Sequence, residues 1–299
     1  MERVLLVQKL NSFGCRVQER EPLSAHTTFH IGGEAALFVT AETVGQVASV
    51  LQLCRETATA LLVIGNGSNL LVSDAGFDGV VLRLAPRETV IEGVTVRAAA
   101  GTSLTKLCND VCDAGMSGLE FAFGIPGTVG GAVFMNAGAY GGQLSDVLTR
   151  VTAVTPTGEV VTLEASELAL GYRHSVFMEN GYIVLEAEFR LTPAETGAIR
   201  AAMTDYMTRR RDKQPLEYPS AGSFFKRPEG YFAGALIEQC GLKGFTVGGA
   251  AVSEKHAGFV INLGGATCAD VLALGDAVSK QVKERFGVEL EREVQLIGG

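Results

Sequence analysis

A glycine-rich segment, residues 124–142, constrains the fold of this chain more than any other feature, because seven of its 19 residues are glycine. Ordering so many glycines costs more conformational entropy than packing alone is expected to offset. Glycine adopts positive φ and places no Cβ between the backbone and a ligand, so several N–H groups can converge on one phosphate. The segment therefore predicts a dinucleotide-binding loop.

A second glycine segment, Gly65-Asn66-Gly67-Ser68-Asn69, follows the predicted strand 61–64. It is not a Rossmann fingerprint, because Leu70 stands where the third glycine would be, and the chain contains no P-loop motif. Taken alone, this segment is better explained as a tight turn. Together with residues 124–142 it favours a dinucleotide site of a non-Rossmann kind.

Composition excludes several classes of protein. A chain of 299 residues is expected to form about two domains, divided near residue 200. Its net charge of -8 at pH 7 argues against general nucleic-acid binding, since phosphates would be repelled. No apolar run approaches the roughly 18 residues of a membrane span, so a cytoplasmic protein without a membrane partner is expected. The six cysteines form no C-x-x-C pair, which favours reduced core thiols and no metal site.

Hydrophobic periodicity and turn residues predict alternating helices and strands. Helices are predicted at the N-terminus, where no signal peptide is indicated, and at 43–54, 103–114, 195–212, 231–240 and 267–286. Strands are predicted at 35–40, 61–64, 79–84, 88–99 (a hairpin), 147–155, 160–163, 182–191, 242–263 and 288–297. Thr43 with Gln46 and Thr267 with Asp270 mark two helix starts, and Gly115 marks a helix end.

Longer motifs add a specific resemblance that covers nearly the whole chain in order. They are His26-Thr-Thr-Phe29 before Ile31-Gly32-Gly33, GNGSNLLVSDAGFDG at 65–79, GLEFAFGIPGTVGGAVFMNAGAYGG at 118–142, GYRHSVF at 171–177, AGSFFKRP at 221–228, LIEQCGLKG at 236–244, GGAAVSEKHAGFVIN at 248–262 and LEREVQLIG at 290–298. In these motifs the chain resembles the UDP-N-acetylenolpyruvoylglucosamine reductase family, in particular the shorter of its two types.

The resemblance implies an α+β fold with two FAD-binding subdomains of the vanillyl-alcohol-oxidase (PCMH) type, residues 1–85 and 86–200, and a substrate-binding domain, residues 201–299. It implies that two sets of residues bind FAD around its pyrophosphate: Gly65, Asn66, Gly67, Ser68, Asn69 and Leu70, and Gly124, Ile125, Pro126, Gly127, Thr128, Gly130, Gly131, Asn136, Ala137 and Gly138. The chain departs from the family at His30, where relatives commonly carry a cation, and at Phe123, where they often carry a small residue.

The implied reaction passes a hydride from NADPH through FAD to the enolpyruvyl ether of a UDP-amino sugar. Charge develops on the substrate carboxylate and needs a fixed positive group, and the neighbouring carbon needs a proton. Arg173 matches the family's carboxylate-polarising arginine, Ser223 its proton donor and Glu293 its catalytic glutamate. Whether Ser223 or Glu293 supplies the proton stays open.

Each of these residues also has an ordinary explanation. Without the resemblance, Arg173 would be assigned to the surface and Ser223 to a turn. Glu289, Glu291 and Glu293 alternate along one predicted strand, and a solvated strand face would account for all three.

Lys213 and Arg227 are candidates for binding the substrate diphosphate, although helix capping and solvation also explain them. His174 and His256 are interpreted as ordinary polar or buried histidines. Because the chain lacks a Rossmann motif, the resemblance implies that NADPH occupies in turn the place where the UDP-sugar later binds. A monomer is expected.

Two other functions fit part of the pattern. An FAD oxidase of the same fold would keep the glycine segments but would not need Arg173, Ser223 and Glu293 together. A regulatory protein that kept the fold would bind a nucleotide without catalysis. Oxygen consumption with a small alcohol would favour the first, and a purified protein that takes up no flavin would favour the second.

Overall fold

The structure, a computed structural model, describes residues 3–298. The helices are α1 (Arg3–Ser12), α2 (Val44–Glu56), α3 (Leu104–Asp113), α4 (Val129–Phe134), α5 (Phe177–Asn180), α6 (Thr196–Lys213), α7 (Ala233–Gln239) and α8 (Cys268–Phe286). The strands are β1 (Arg16–Pro22), β2 (Glu34–Ala41), β3 (Leu61–Ile64), β4 (Leu70–Val72), β5 (Phe77–Leu84), β6 (Thr89–Glu92), β7 (Thr95–Ala99), β8 (Met116–Ser117), β9 (Gly138–Ala139), β10 (Gly142–Gln143), β11 (Leu148–Val154), β12 (Val160–Glu164), β13 (Ile183–Arg190), β14 (Thr192–Pro193), β15 (Ser220–Ser223), β16 (Thr246–Val247), β17 (Ala250–Val252), β18 (Phe259–Asn262) and β19 (Gln295–Ile297). Across this described range, no helix has both the length and the apolar character needed to cross a membrane.

Most predicted helices and strands are confirmed within a few residues, and the helix starts show why. The Thr43 hydroxyl accepts a hydrogen bond from the amide of Gln46 at 3.2 Å and completes the predicted capping box of α2. Thr267 and Asp270 form the same reciprocal arrangement at the start of α8. Gly115 follows α3 with a φ of +69°, the left-handed conformation expected after a helix end.

The predicted strand 288–297 is wrong over most of its length, because only β19 is a strand there. The main chain changes partners within this segment. Glu293 donates its amide to Phe224 O at 2.9 Å, whereas Gln295 pairs in parallel with Leu70 of β4. A segment that changes neighbours after so few residues does not extend one regular ladder.

The chain packs as two compact units, and each is made of three separate stretches. Unit 1 comprises the stretch up to Glu19, Leu37–Asn66 and Gly79–Arg209; unit 2 comprises Arg20–Ala36, Gly67–Asp78 and the stretch from Arg210 onward. A division by packing does not separate subdomains inside one unit. The three predicted domains therefore stay a prediction.

Unit 1 is built on a five-stranded antiparallel sheet with the strand order β12-β11-β13-β7-β6. Helix α4 packs against β13 and β7, and α3 packs against β6. The core of unit 1 contains fully buried side chains such as Leu104, Val151 and Phe189. The glycine-rich segment 124–142 is therefore attached to this sheet through α4, which is part of the segment.

Unit 2 has a four-stranded antiparallel sheet with the order β15-β18-β17-β16, against which α8 packs. Strand β19 pairs in parallel with β4. The core of this unit combines side chains from all three of its stretches, including Phe29, Leu71 and Phe224. Hydrogen bonds hold the segment around Glu293 between Phe224, which follows β15, and Asn69, which precedes β4.

Candidate active site

The two glycine segments meet inside unit 1. The Asn66 side-chain amide donates a hydrogen bond to Pro126 O at 3.0 Å. A Cβ atom at Gly65 would overlap the Thr128 hydroxyl, so only glycine allows the two segments to approach this closely. Gly65 and Asn66 thus lie against the segment 126–128, as a shared binding site requires.

Thr128 shapes the second segment by capping α4. Its hydroxyl accepts the Gly131 amide at 3.4 Å, and Gly130 donates its amide to Ala100 O at 2.9 Å. Ile125 donates its amide to Ala122 O at 3.1 Å. These three amides are therefore used within the protein and do not point to a ligand.

Three other amides of this segment have no acceptor in the described chain. Gly124, Gly127 and Thr128 donate no main-chain hydrogen bond to any residue from 3 to 298. Since buried or half-buried N–H groups normally have partners, this group of donors fits an anionic ligand such as a pyrophosphate.

Packing restricts three of the glycines of 124–142, so a ligand is not the only reason for glycine in this segment. A Cβ at Gly130 would come within 3.0 Å of the Ala100 side chain, and one at Gly142 within 2.6 Å of the Phe121 ring. A Cβ at Gly138 would lie 2.8 Å from Gly142 O. Close packing therefore disfavours a side chain at Gly138 and Gly142 and crowds one at Gly130.

The remainder of the first glycine segment belongs to unit 2. Gly67 has a φ of +60°, and a Cβ there would overlap His26 O. Thr28 donates its amide to Gly67 O at 3.3 Å. The amides of Gly67 and Ser68 donate no hydrogen bond within residues 3–298, so they too can bind an anion.

Asn136 connects the glycine-rich segment to the turn that carries Arg173. It is buried, with a φ of +41°, and its side-chain amide donates to Gly171 O at 3.0 Å. Its side-chain oxygen accepts the Ser145 amide at 3.0 Å. The predicted cofactor residue Asn136 is therefore engaged in holding two neighbouring loops, and Ala137 donates its amide to Ala132 O at 2.8 Å.

Arg173 lies in a tight turn closed by reciprocal hydrogen bonds between Gly171 and His174. Its φ is +53°, and its guanidinium lies 5.2 Å from the centre of the Tyr172 ring. The buried Ser175 hydroxyl donates to Phe134 O at 2.7 Å and anchors the turn to the end of α4. The strained backbone of Arg173 is thus fixed at both sides.

Ser223 ends β15 beside an irregularity in the sheet. Ser220 and Ser223 pair with Ile261 and Phe259 of β18, and the register shifts between them. Gly222, inside this shift, has a φ of +78° and open space where a side chain would be. The half-buried Ser223 hydroxyl makes no hydrogen bond with residues 3–298. It is therefore available to a ligand.

Glu293 is distinct from the two acidic residues that alternate with it. Glu289 pairs with Lys283, which lowers the pKa of Glu289, and Glu291 pairs with Lys226. Glu289 and Glu291 are exposed, whereas Glu293 is half-buried. The solvated-face explanation therefore fits the two neighbours and not Glu293.

Both main-chain groups of Glu293 are bound. Its amide donates to Phe224 O at 2.9 Å, and its carbonyl accepts the Asn69 side-chain amide at 3.1 Å. Phe224 directly follows Ser223. Unit 2 thus brings Ser223, Glu293 and the end of the first glycine segment together, although they are far apart in sequence.

The candidate diphosphate residues lie in unit 2. Lys213 is exposed at the end of α6. Arg227 is exposed, and its guanidinium lies 4.5 Å from the centre of the Phe232 ring. Burial lowers the pKa of His256, and the ammonium groups of Lys243 and Lys213 add to this effect.

The His256 ring is fixed by its neighbours. Its Nδ1 accepts the Gly258 amide at 3.1 Å, and the ring meets Phe259 edge-to-face with 5.0 Å between centroids. Since Nδ1 is an acceptor, the neutral ring carries its proton on Nε2.

The two departures from the family lie in separate units. His30 is exposed with a φ of +55°, and Phe123 packs on the core of unit 1.

Two family profiles match this chain. Residues 35–164 match an FAD binding domain, and residues 214–297 match the C-terminal domain of UDP-N-acetylenolpyruvoylglucosamine reductase. A UDP-N-acetylenolpyruvoylglucosamine reductase from Lachnoclostridium phytofermentans is 48% identical over 305 residues, which span 100% of this chain and 98% of the relative. The chain belongs to the UDP-N-acetylenolpyruvoylglucosamine reductase family.

Other members of this reductase family agree with that assignment. A UDP-N-acetylenolpyruvoylglucosamine reductase from Clostridium botulinum is 50% identical over 279 residues, covering 93% of this chain and 91% of the relative. The crystal structure of UDP-N-acetylenolpyruvylglucosamine reductase from Thermus caldophilus matches with a TM-score of 0.83 at 37% identity, covering 95% of this chain and all of that one. The predicted α+β fold, with an FAD-binding region followed by a C-terminal α+β domain, is confirmed.

Sequence reasoning missed the contacts that hold the reductase site in place. Asn66 and Asn69 are predicted to bind the cofactor, yet the side chain of each binds a distant carbonyl, of Pro126 and Glu293 respectively. Asp74 binds the start of α8, with its carboxylate accepting the Cys268 amide at 2.7 Å. None of these pairings has a local signal in the sequence.

Proposed function

We propose that this chain reduces UDP-N-acetylglucosamine enolpyruvate to UDP-N-acetylmuramate, with FAD as its cofactor and NADPH as its co-substrate, in peptidoglycan precursor synthesis. The observation that carries the proposal is the meeting of Ser223 and Glu293 on hydrogen-bonded neighbouring segments of unit 2. These are a hydroxyl and a carboxyl group that can move a proton. The names of the relatives supply the substrate.

FAD fits the residues of unit 1. The unengaged amides of Gly124, Gly127 and Thr128 would bind its pyrophosphate, and the close approach of Gly65 to Thr128 would complete one wall of the site. FAD, when bound, would supply the hydride-transfer chemistry between NADPH and the enolpyruvyl carbon. The chain has a net charge of -8 and so offers few surplus cations. Main-chain amides are a suitable means of binding a dianion in such a chain, because they need no cationic side chain.

Arg173 would bind the substrate carboxylate and stabilise the negative charge that develops there. A guanidinium suits this role because it stays ionised and offers two parallel donors. Its fixed turn holds the backbone in place before the substrate arrives, which reduces the reorganisation needed during the reaction.

Ser223 would donate the proton to the substrate carbon next to the carboxylate, with Glu293 close by. An unaided serine is a weak acid, so the carboxyl group of Glu293 would supply or stabilise the proton. Lys213 and Arg227 would bind the diphosphate of the UDP-sugar. We place this chemistry in a cytoplasmic, monomeric enzyme.

NADPH would bind where the UDP-sugar binds later, so the two substrates would not be present together. This alternation predicts parallel initial-rate lines when both substrate concentrations are varied. Intersecting lines would contradict it.

The test is the absorbance spectrum of the purified protein. We expect a flavin spectrum that NADPH bleaches and that the enolpyruvyl UDP-sugar restores without oxygen. A protein that takes up no FAD, or a flavin that NADPH reduces and the UDP-sugar leaves reduced, would contradict the proposal. NADH in place of NADPH serves as the comparison for coenzyme preference.

A further inference from the structure

We infer that Asn69 is a positioning residue for Glu293. This inference rests on the proposed function of Glu293. The Asn69 side-chain amide lies 3.1 Å from Glu293 O, although the two residues are 224 positions apart in sequence. Asn69 therefore acts through the glutamate, as a part of unit 2, and its side-chain nitrogen donates to a main-chain carbonyl of the protein.

The hydrogen bonds around Glu293 define the direction of its Cα–Cβ bond. The peptide plane before its Cα is held by Phe224 O, and the plane after it by Asn69. Peptide units are rigid planes, so two fixed planes fix the Cα and the direction in which the side chain leaves it. Removing the Asn69 amide releases one of the two planes.

The main chain of Asn69 strengthens the same connection. Its carbonyl accepts the Gln295 amide at 2.9 Å, and the parallel pairing of β4 with β19 begins at the next residue, Leu70. Asn69 thus binds residues 293 and 295 at once. No regular strand covers Glu293 itself, so the side-chain bond substitutes for a missing ladder bond.

Asn66 in the same glycine segment provides a matched comparison. Its side-chain amide also donates to a main-chain carbonyl, that of Pro126 at 3.0 Å, within unit 1. Two asparagines three positions apart therefore make the same kind of bond to different targets. One target lies in the proposed flavin loop, and the other is the proposed catalytic glutamate.

The experiment compares Asn69→Ala with Asn66→Ala in the full-length protein. We expect Asn69→Ala to retain FAD and to be reduced by NADPH at nearly the normal rate, while reoxidation by the UDP-sugar slows about tenfold. Asn66→Ala is expected instead to lose FAD more readily. Hydrogen exchange of the peptide 290–298, measured without substrate, should rise in Asn69→Ala and not in Asn66→Ala.

A double-variant cycle separates positioning from a general loss of structure. In a Glu293→Gln background, Asn69→Ala should slow reoxidation by less than about twofold, because the group it positions is already lost. An effect as large as in the wild type would overturn the inference, as would unchanged exchange of 290–298. If Asn69→Ala does not fold, Asn69→Leu removes the donor at a similar size without adding a charge and answers the same question.

Failure of the proposed function gives a different result. If the reduced flavin of Glu293→Gln is reoxidised by the UDP-sugar as fast as that of the wild type, Glu293 is not catalytic. The proposed role of Glu293 is then contradicted, whatever Asn69→Ala does. If Glu293→Gln is slow and Asn69→Ala adds its full effect, only the role of Asn69 is contradicted.

Discussion

The Ser223 hydroxyl makes no hydrogen bond within the described residues, so its removal tests chemistry and not folding. We expect Ser223→Ala to leave flavin reduction by NADPH intact and to slow reoxidation by the UDP-sugar about 100- to 10,000-fold, the usual contribution of a positioned proton donor. Stopped-flow absorbance of each half-reaction measures this. Ser220→Ala, on the same strand, is the control, and equal losses in both half-reactions would assign Ser223 a structural role.

His256 allows a test of pH dependence, because burial lowers the pKa of its ring in the folded state. The unfolded chain then binds more protons below about pH 6.5, so stability falls as pH decreases through that value. We expect His256→Asn to show a smaller loss of melting temperature between about pH 7 and 5 than the wild type. Equal losses of melting temperature in the variant and the wild type would show that His256 does not cause this pH dependence of stability.

At the scale of elements, two helix starts differ in the number of side chains that cap them. Thr43 caps α2 with its capping-box partner, whereas α8 has both Thr267 and the Asp74 carboxylate, which accepts the amides of Cys268 and Ala269. We expect Thr43→Ala and Thr267→Ala each to lower the free energy of unfolding by about 1 kcal/mol, because each hydroxyl accepts one amide of its helix. Urea unfolding measures both.

The matching variant is Asp74→Ala, which removes the second cap of α8 and should cost about 0.5–2 kcal/mol. The double variant Asp74→Ala with Thr267→Ala should cost about the sum of the two single changes, because Asp74 accepts the amides of Cys268 and Ala269 whereas Thr267 accepts that of Asp270. A cost well above the sum would show that one cap compensates for loss of the other.

Local signals explain which elements could be predicted from the sequence. The capping residues Thr43 and Thr267 and the left-handed glycine Gly115 act within one turn of their helices, so they are visible in the sequence. The segment 288–297 could not be assigned correctly, because its partners Phe224 and Asn69 come from distant parts of the chain.

The candidate site likewise combines features that are visible in the sequence with features that depend on distant contacts. The glycine segments stand out in the sequence, and the structure brings Gly65 against Thr128 as expected of one site. Their glycines, however, have two causes that the sequence does not separate. A Cβ at Gly142 would overlap the Phe121 ring, whereas Gly124 has a φ of +82° and keeps an unengaged amide. Only tertiary contacts distinguish these cases.

At the scale of the whole molecule, unit 2 depends on stretches that precede most of unit 1 in the sequence. Phe29, Ile31 and Leu71 are buried in its core, with 2% or less of their surface exposed. Burial of three such side chains contributes about 5–9 kcal/mol, which is comparable with the roughly 5–15 kcal/mol stability of a whole protein. The unit is therefore not a continuous domain.

We expect residues 214–297, the matched C-terminal domain, to fail to fold when produced alone. Circular dichroism during heating should show no cooperative transition, whereas the full chain should show one. Phe29→Ala in the full chain is the companion measurement and should lower its stability by about 3–5 kcal/mol. A sharp transition of the isolated segment would show that the early stretches are dispensable.

The distribution of unit 2 over three stretches has a consequence for how the protein is made. During translation Leu71 emerges long before its partner Leu296 in the parallel pair of β4 and β19. At about 5–20 residues per second, the interval is on the order of ten seconds or more. Through that time the early apolar side chains have no finished core to enter, so the nascent chain should be a client of ribosome-associated chaperones.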